Sequence, residues 1–203
     1  MDTVKTAPKK AKLDGRKLRT NDSRKKIVDA FLGLIRQGNV SPSAEDVATA
    51  ANVSLSTVFR RFTEMELLYR ELVIEVQTQH LPPFLKPFET TFWRDQLAEL
   101  IQRRAGAYEL IMPYRIASKV LMHRSHFIKD NMNRWALTQR KQLDLVLPFS
   151  DKEEPLIFAA VEASMSFDHW IQVRKGQNLS AQQAEDLMNY TVGLVLDTYS
   201  AEK

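Results

Sequence analysis

The sequence predicts an all-α protein, and three observations carry the prediction. Apolar residues recur at three- and four-residue spacing in successive segments, no run alternates with the period of two that marks a strand, and glycine is sparse at 6 of 203 residues. The breaks between segments carry proline, asparagine, serine or glycine, the residues that stop and cap helices.

Ile27, Phe31, Leu34 and Ile35 line one face of a first helix, widened by Val28 and Ala30. Thr20 or Asn21 offers the cap at its start, and Gly38 its stop. In "SPSAEDVATAA" Ser41 is placed to cap a short second helix over about 42–50. Pro42 would stand at its first position, with Glu45 and Asp46 near its positive end. Asn52 tolerates a left-handed backbone and breaks this helix, and Ser54 then caps a third short helix running to about Phe62. Two short helices joined by a turn of three or four residues form a helix-turn-helix pattern. Val58 and Phe62, four apart, should point inward against Val47, Ala48 and Phe31. A fourth helix over 63–80 carries Leu67, Leu68, Leu72 and Val76 as its stripe, and Pro82 and Pro83 stop it. Beyond them the pattern predicts helices over 88–108, 113–123, 126–147, 152–174 and 181–201. Breaks are expected at Pro113, Pro148 and Gly176, with Ser180 as the last N-cap. The expected organisation is a basic arm over 1–18 with the composition of a disordered tail, a small helical unit over 19–81, and a larger helical body over 82–203.

Charge is unevenly spread. Residues 1–26 hold ten bases and three acids, a local charge of +7 against +4 for the whole chain, which leaves the rest at −3. A basic end on a slightly acidic body fits a grip on a polyanion. The chain has no cysteine, so disulfides, thiolate metal sites and cysteine nucleophiles are excluded, as suits a reducing cytoplasm. No run is long enough to span a membrane and the N-terminus lacks a secretory apolar core, so a cytoplasmic protein is expected.

The runs "IVDAFLGLIRQGNVSPSAEDVA" and "AANVSLSTVFRRFTEMELLYREL" resemble the DNA-binding domain of the TetR family of bacterial repressors. That family shows an "ILxAAxxLFxxxG" first helix, a "xxIAxxAGVS" second helix and turn, and a "GTLYxHFxxKExL" third helix. The matching positions are Ile27, Ala30, Gly38, Val47, Ala48, Ala51, Val53, Ser54, Thr57, Val58, Phe59, Phe62 and Leu68. Asn52 stands where glycine is usual, Phe59 where tyrosine is common, and Met65 where lysine is common. The last two changes remove a hydroxyl and a cation that would reach phosphate, so Arg61 and the basic arm become the substitutes.

Independently of any family, a helix of this size fits the DNA major groove, and the second helix of such a pair carries the base contacts. Arg60 can bond guanine O6 and N7 in bidentate fashion, Leu55 offers an apolar surface to thymine methyls, and Ser56 permits close approach. Thr57, Ser43 and Arg61 suit phosphates, as does the start of the first helix with Arg24, Lys25 and Lys26. Ser54 and Phe59 complete the candidate DNA-binding surface.

A unit of this size reads only a few base pairs, so specificity calls for a homodimer on a two-fold site in double-stranded DNA. The segment 155–170, with Ala160, Ala163 and Phe167, is apolar on more than one face. Leu187, Tyr190 and Leu194 form a similar surplus near the C-terminus, where Gly193 permits close helix approach. The resemblance implies that these last two helices form the dimer interface, and that the body holds a pocket for a small-molecule effector. Trp93, Tyr108, Met112, Tyr114, Trp135, Phe167, His169 and Trp170 are candidates to line it, though each also suits plain core.

His123 and His126 have a spacing that places them on one helical face, but no third metal ligand stands nearby and neither a metal nor a cofactor is expected. Asp151, Glu153 and Glu154 precede a helix, where acids favour the N-terminal dipole. No glycine-rich phosphate loop, nucleophile elbow or metalloprotease signature occurs, and an enzyme using His169 or Asp168 is the weakest reading. The leading expectation is a ligand-responsive repressor of a palindromic operator. The alternative is a non-catalytic helical ligand-binding protein whose basic arm grips polyanions without sequence preference.

Overall fold

The computed structural model describes residues 10–80, 82 and 86–201, with side chains over 22–79, 82 and 86–199. Among these residues 77% are helical and none is in a strand, so the protein is all-α. The elements are α1 (Lys10–Arg36), α2 (Ala44–Ala50), α3 (Leu55–Arg61), α4 (Met65–His80), α5 (Trp93–Leu121), α6 (His126–Val146), α7 (Pro155–Ser164), α8 (Phe167–Ile171) and α9 (Ala181–Ala201). A π-helical turn, Gln172–Gly176, continues α8.

Helix α1 begins at Lys10 instead of at a Thr20 or Asn21 cap. The arm read as a tail is therefore helical from Lys10, in keeping with its run of alanine, lysine, leucine and arginine. Residues 1–9 of that arm lie outside the described residues. At the other end Gly38 takes φ +97°, and the amides of Gly38 and Asn39 donate to the carbonyls of Ile35 and Leu34. That is a Schellman closure, which needs a residue free to enter the left-handed region. Helix α2 starts two residues later than the Ser41–Pro42 reading, because Ser43 is its cap. The Ser43 hydroxyl accepts from the Asp46 amide at 3.1 Å, and the Asp46 carboxylate accepts from the Ser43 amide at 2.9 Å. This reciprocal box satisfies two amides that α2 would otherwise leave open. Asn52 adopts φ +52° in the turn, and Ser54 caps α3 by accepting from Thr57 N–H at 3.2 Å.

Two cores hold the chain. The first gathers Ile27, Phe31 and Ile35 of α1, Val47 and Ala48 of α2, Val58 of α3, Phe62, and Leu68 and Leu72 of α4. Tyr114, Ala117 and Leu121 of α5 and Ile128 of α6 complete it, so α5 and α6 seat the N-terminal helices directly. Leu67, read as part of the α4 stripe, faces solvent instead. The second core runs from Leu97 to Met112 on α5 through Phe158, Val161, Phe167 and Trp170 to Met188, Val192 and Leu196 on α9.

Two expected boundaries in the body are displaced. Pro113 lies inside the continuous α5 and does not end a helix. Ile111, Met112, Tyr114 and Ala117 are buried on either side of it, and this burial outweighs the lost hydrogen bond. The segment expected as one helix over 152–174 divides at Met165 and Ser166. The freed Met165 carbonyl accepts from the Tyr108 hydroxyl at 2.9 Å, and Ser166 caps α8. Glu109 ties α5 to the far side of this break, accepting from Trp170 Nε1 at 2.9 Å and Arg174 Nε at 2.8 Å. The Arg174 hydrogen bond is the main reason its carboxyl lies below the ordinary range.

Candidate nucleic-acid interface and ligand cavity

Helix α3 is pinned from behind and open in front. Val58 and the following Phe62 are buried against Phe31 and Val47, which turns Ser56, Phe59 and Arg60 outward on the opposite face. Phe59 remains 46% exposed, a large ring with no core to fill. Arg60 donates to Thr57 Oγ1 at 3.2 Å, one turn back on its own helix, so the guanidinium stands over α3 and is tied to no other element among the described residues. The hydroxyls of Ser54, Ser56 and Thr57 form a chain, with Ser54 Oγ at 2.9 Å from each of the other two. Ser43 stands exposed at the start of α2, its hydroxyl accepting from Asp46 yet still holding a proton to donate.

Three of the expected DNA contacts are engaged inside the protein. Leu55 is half-buried and packs against the first core, which takes up much of the surface expected to face thymine. Arg24 lies over the Phe62 ring at 4.5 Å, pairs with Glu71 of α4, and donates to the Arg61 carbonyl at 3.4 Å. Arg61 in turn donates from Nε to Ser23 Oγ at 2.8 Å. These two arginines join α1, α3 and α4, whereas Lys25 and Lys26 on the next positions of α1 are exposed. The arginine ties were not visible beforehand because they depend on which helices become neighbours.

A comparison of the chain with family models, curated proteins and solved structures finds no match. The functional reading of the site therefore rests on its geometry and chemistry.

In the body, the aromatic residues expected to line a pocket mostly form core. Tyr108, Phe167 and Trp170 are buried together, with Phe167 edge-on to Tyr108 at 5.3 Å. Met112 joins the same core and Trp93 packs on its margin. His169 is half-buried, with Nε2 unpartnered among the described residues, while Asp168 pairs with Lys119 at the surface. Trp135 does line a cavity of about 260 Å³, bounded by α4, α5 and α6. Tyr114 lines a smaller one of about 40 Å³ that shares Trp135, Gln77 and Asn131. The residues missed from the sequence are the polar ones, Arg104 above all. A signal existed: Arg104 falls four residues after Leu100 and four before Tyr108, on the buried stripe of α5.

Of the expected dimer residues, Phe167 is buried in its own chain and Leu187 packs against the second core. Ala160 and Gly193 are half-exposed, Ala163 is exposed, and Tyr190 and Leu194 are 65% and 51% exposed. Leu156 joins them on α7 at 84%. His123 and His126 are exposed, and no group of three or more metal-ligating side chains gathers among the described residues. Among these residues no helix is long and apolar enough to cross a membrane.

Proposed function

We propose that the protein is a homodimeric transcriptional regulator of the TetR type, reading a two-fold site in double-stranded DNA with α3. In this reading α2, the turn and α3 form a helix-turn-helix within a DNA-binding unit over 19–81. Residues 82–203 form the effector-binding and dimerisation body, and the protein works in the cytoplasm. The observation that carries the reading is the division of α3 between a buried back, Val58 with Phe62, and an exposed front, Ser56, Phe59 and Arg60. A seven-residue helix presented this way has little structural use for its front, and arginine with small hydroxyls suits base edges and phosphates. The exposed apolar surface of Leu156, Tyr190 and Leu194 on the neighbouring helices α7 and α9 suits a second copy. An effector acts by favouring the arrangement whose two α3 helices no longer match successive major grooves, roughly 34–36 Å apart.

The test is selection of bound duplexes from a random double-stranded pool at near-physiological salt, since affinity for DNA falls steeply with salt. A two-fold symmetric consensus is the expected result. Retention of duplexes without a consensus would replace this reading by polyanion binding without sequence preference.

A further inference from the structure

Arg104 of α5 is only 5% exposed, and its two contacts are both backbone carbonyls. Nη2 donates to Gln139 at 2.6 Å and Nη1 to Met165 at 3.5 Å, while Nε is buried without a partner among the described residues. Trp135 Nε1 and Arg115 Nε are likewise buried and unpartnered. The side chains that carry these groups line the 260 Å³ cavity or the small one sharing its wall, and among the described residues no aspartate or glutamate lines either. Arg103 and Arg134 also line the larger cavity. The acids in the neighbourhood are spoken for: Glu99 pairs with Arg103, and Glu162, whose charge acts on Arg104, pairs with Arg140. A buried cation without a counter-anion is costly, and natural interiors keep one when something supplies the missing charge. Leu100, Ala107 and the Trp135 ring supply the apolar part of the wall, and Gln77, Asn131, Thr138, Gln139 and Gln142 add uncharged polar groups. At 260 Å³ the space lies below the ~300 Å³ where pockets for drug-sized ligands begin, so its occupant is small.

We propose that this cavity binds a compact organic anion, a carboxylate on an apolar body about the size of one aromatic ring, with the carboxylate at Arg104 and Trp135. The guanidinium fork matches a carboxylate in plane and charge, and the indole N–H adds a third donor. The inference deepens the regulator reading by assigning the effector a charge class, and it rests on that reading only for the effector role.

Calorimetric titration of the full chain with 4-phenylbutanoate, 4-phenylbutan-1-ol and 4-phenylbutylamine tests it, because the three differ chiefly in charge. The acid is expected to bind at least about tenfold more tightly than the alcohol, with no binding of the amine. Arg104→Met, checked for helicity by circular dichroism, is expected to abolish the preference for the acid. Trp135→Phe keeps a ring in place and removes one donor. It should weaken the acid several-fold and leave the alcohol unchanged, and it carries the test if Arg104→Met does not fold. Equal binding of acid and alcohol, tighter binding of the amine, or no binding of any of the three overturns the proposal. So does a preference for the acid that persists in Arg104→Met. No DNA enters these titrations, so they and the duplex selection fail separately.

Discussion

Arg60 is where the proposed reading of DNA is most exposed to test. Among the described residues its only hydrogen-bond partner is Thr57 on the same helix, so Arg60→Ala should leave the fold intact. In a binding titration on the selected site the variant should lose about 1–3 kcal/mol, the worth of a bidentate base contact, and keep its affinity for unrelated DNA. An equal loss on both DNAs would make Arg60 a phosphate contact instead. Asp46 offers a test of local structure. The Ser43 amide, then the Ser43 hydroxyl, hold its carboxyl below the ordinary range. A depressed folded pKa stabilises the folded state above the unfolded value of about 3.9, and that contribution is lost as pH falls through the folded value. Thermal midpoints measured from about pH 5 downward should therefore fall more steeply for the native chain than for Asp46→Asn; parallel curves would sink the assignment. Of the residues at this site, Ser54 and Asn52 were legible in sequence because a cap and a left-handed turn are decided within a few positions. Arg24 and Arg61 were not, since a long cation reveals its partner only when α1, α3 and α4 meet.

At the scale of elements, α5 shows tertiary packing overriding a local signal. Pro113 cannot donate to the preceding turn, yet the helix runs through it because Ile111, Met112, Tyr114 and Ala117 all find buried positions along one continuous axis. Pro113→Ala should therefore stabilise the protein by about 2 kcal/mol. That is the ~3 kcal/mol helix-interior penalty less the ~1 kcal/mol proline contributes by restricting the unfolded chain. Denaturant unfolding followed by circular dichroism checks this, and a lower midpoint would mean that α5 needs a bend at that point. The break at Met165 has the opposite character. An apolar run long enough for one helix is divided, and the released carbonyl is taken up by Tyr108 and Arg104 from α5.

For the whole molecule the open question is what covers α7 and α9. Leu156, Tyr190 and Leu194 stand exposed on two helices that pack against each other, while the inner faces of the same helices are buried in the second core. In sedimentation equilibrium the native chain is expected to be a dimer and Leu194→Glu a monomer, since a buried charge without a partner opposes association. Because Leu194 is exposed within one chain, the variant monomer should unfold within about 0.5 kcal/mol of the native one at dilutions where both are monomeric. A native chain that stays monomeric at high concentration would remove the two-fold reading of DNA along with the interface.

By itself the sequence determined that the chain is helical. It also determined the left-handed turn after α2, the Ser54 cap of α3, and that Val58 and Phe62 face inward. Those features follow from residues within a turn or two of one another: a hydroxyl before a helix, Asn52 at φ +52°, Gly38 at φ +97°, an apolar pair four apart. Only the tertiary structure decided that α5 continues through Pro113 and that α7 and α8 separate. The same holds for the two arginines beside α3, which became struts, and for Arg104, which was enclosed beside a cavity with no carboxylate. Each of these depends on which helix faces come together across long stretches of chain, and the free energy of burying one face against another exceeds the local preferences that spacing reveals.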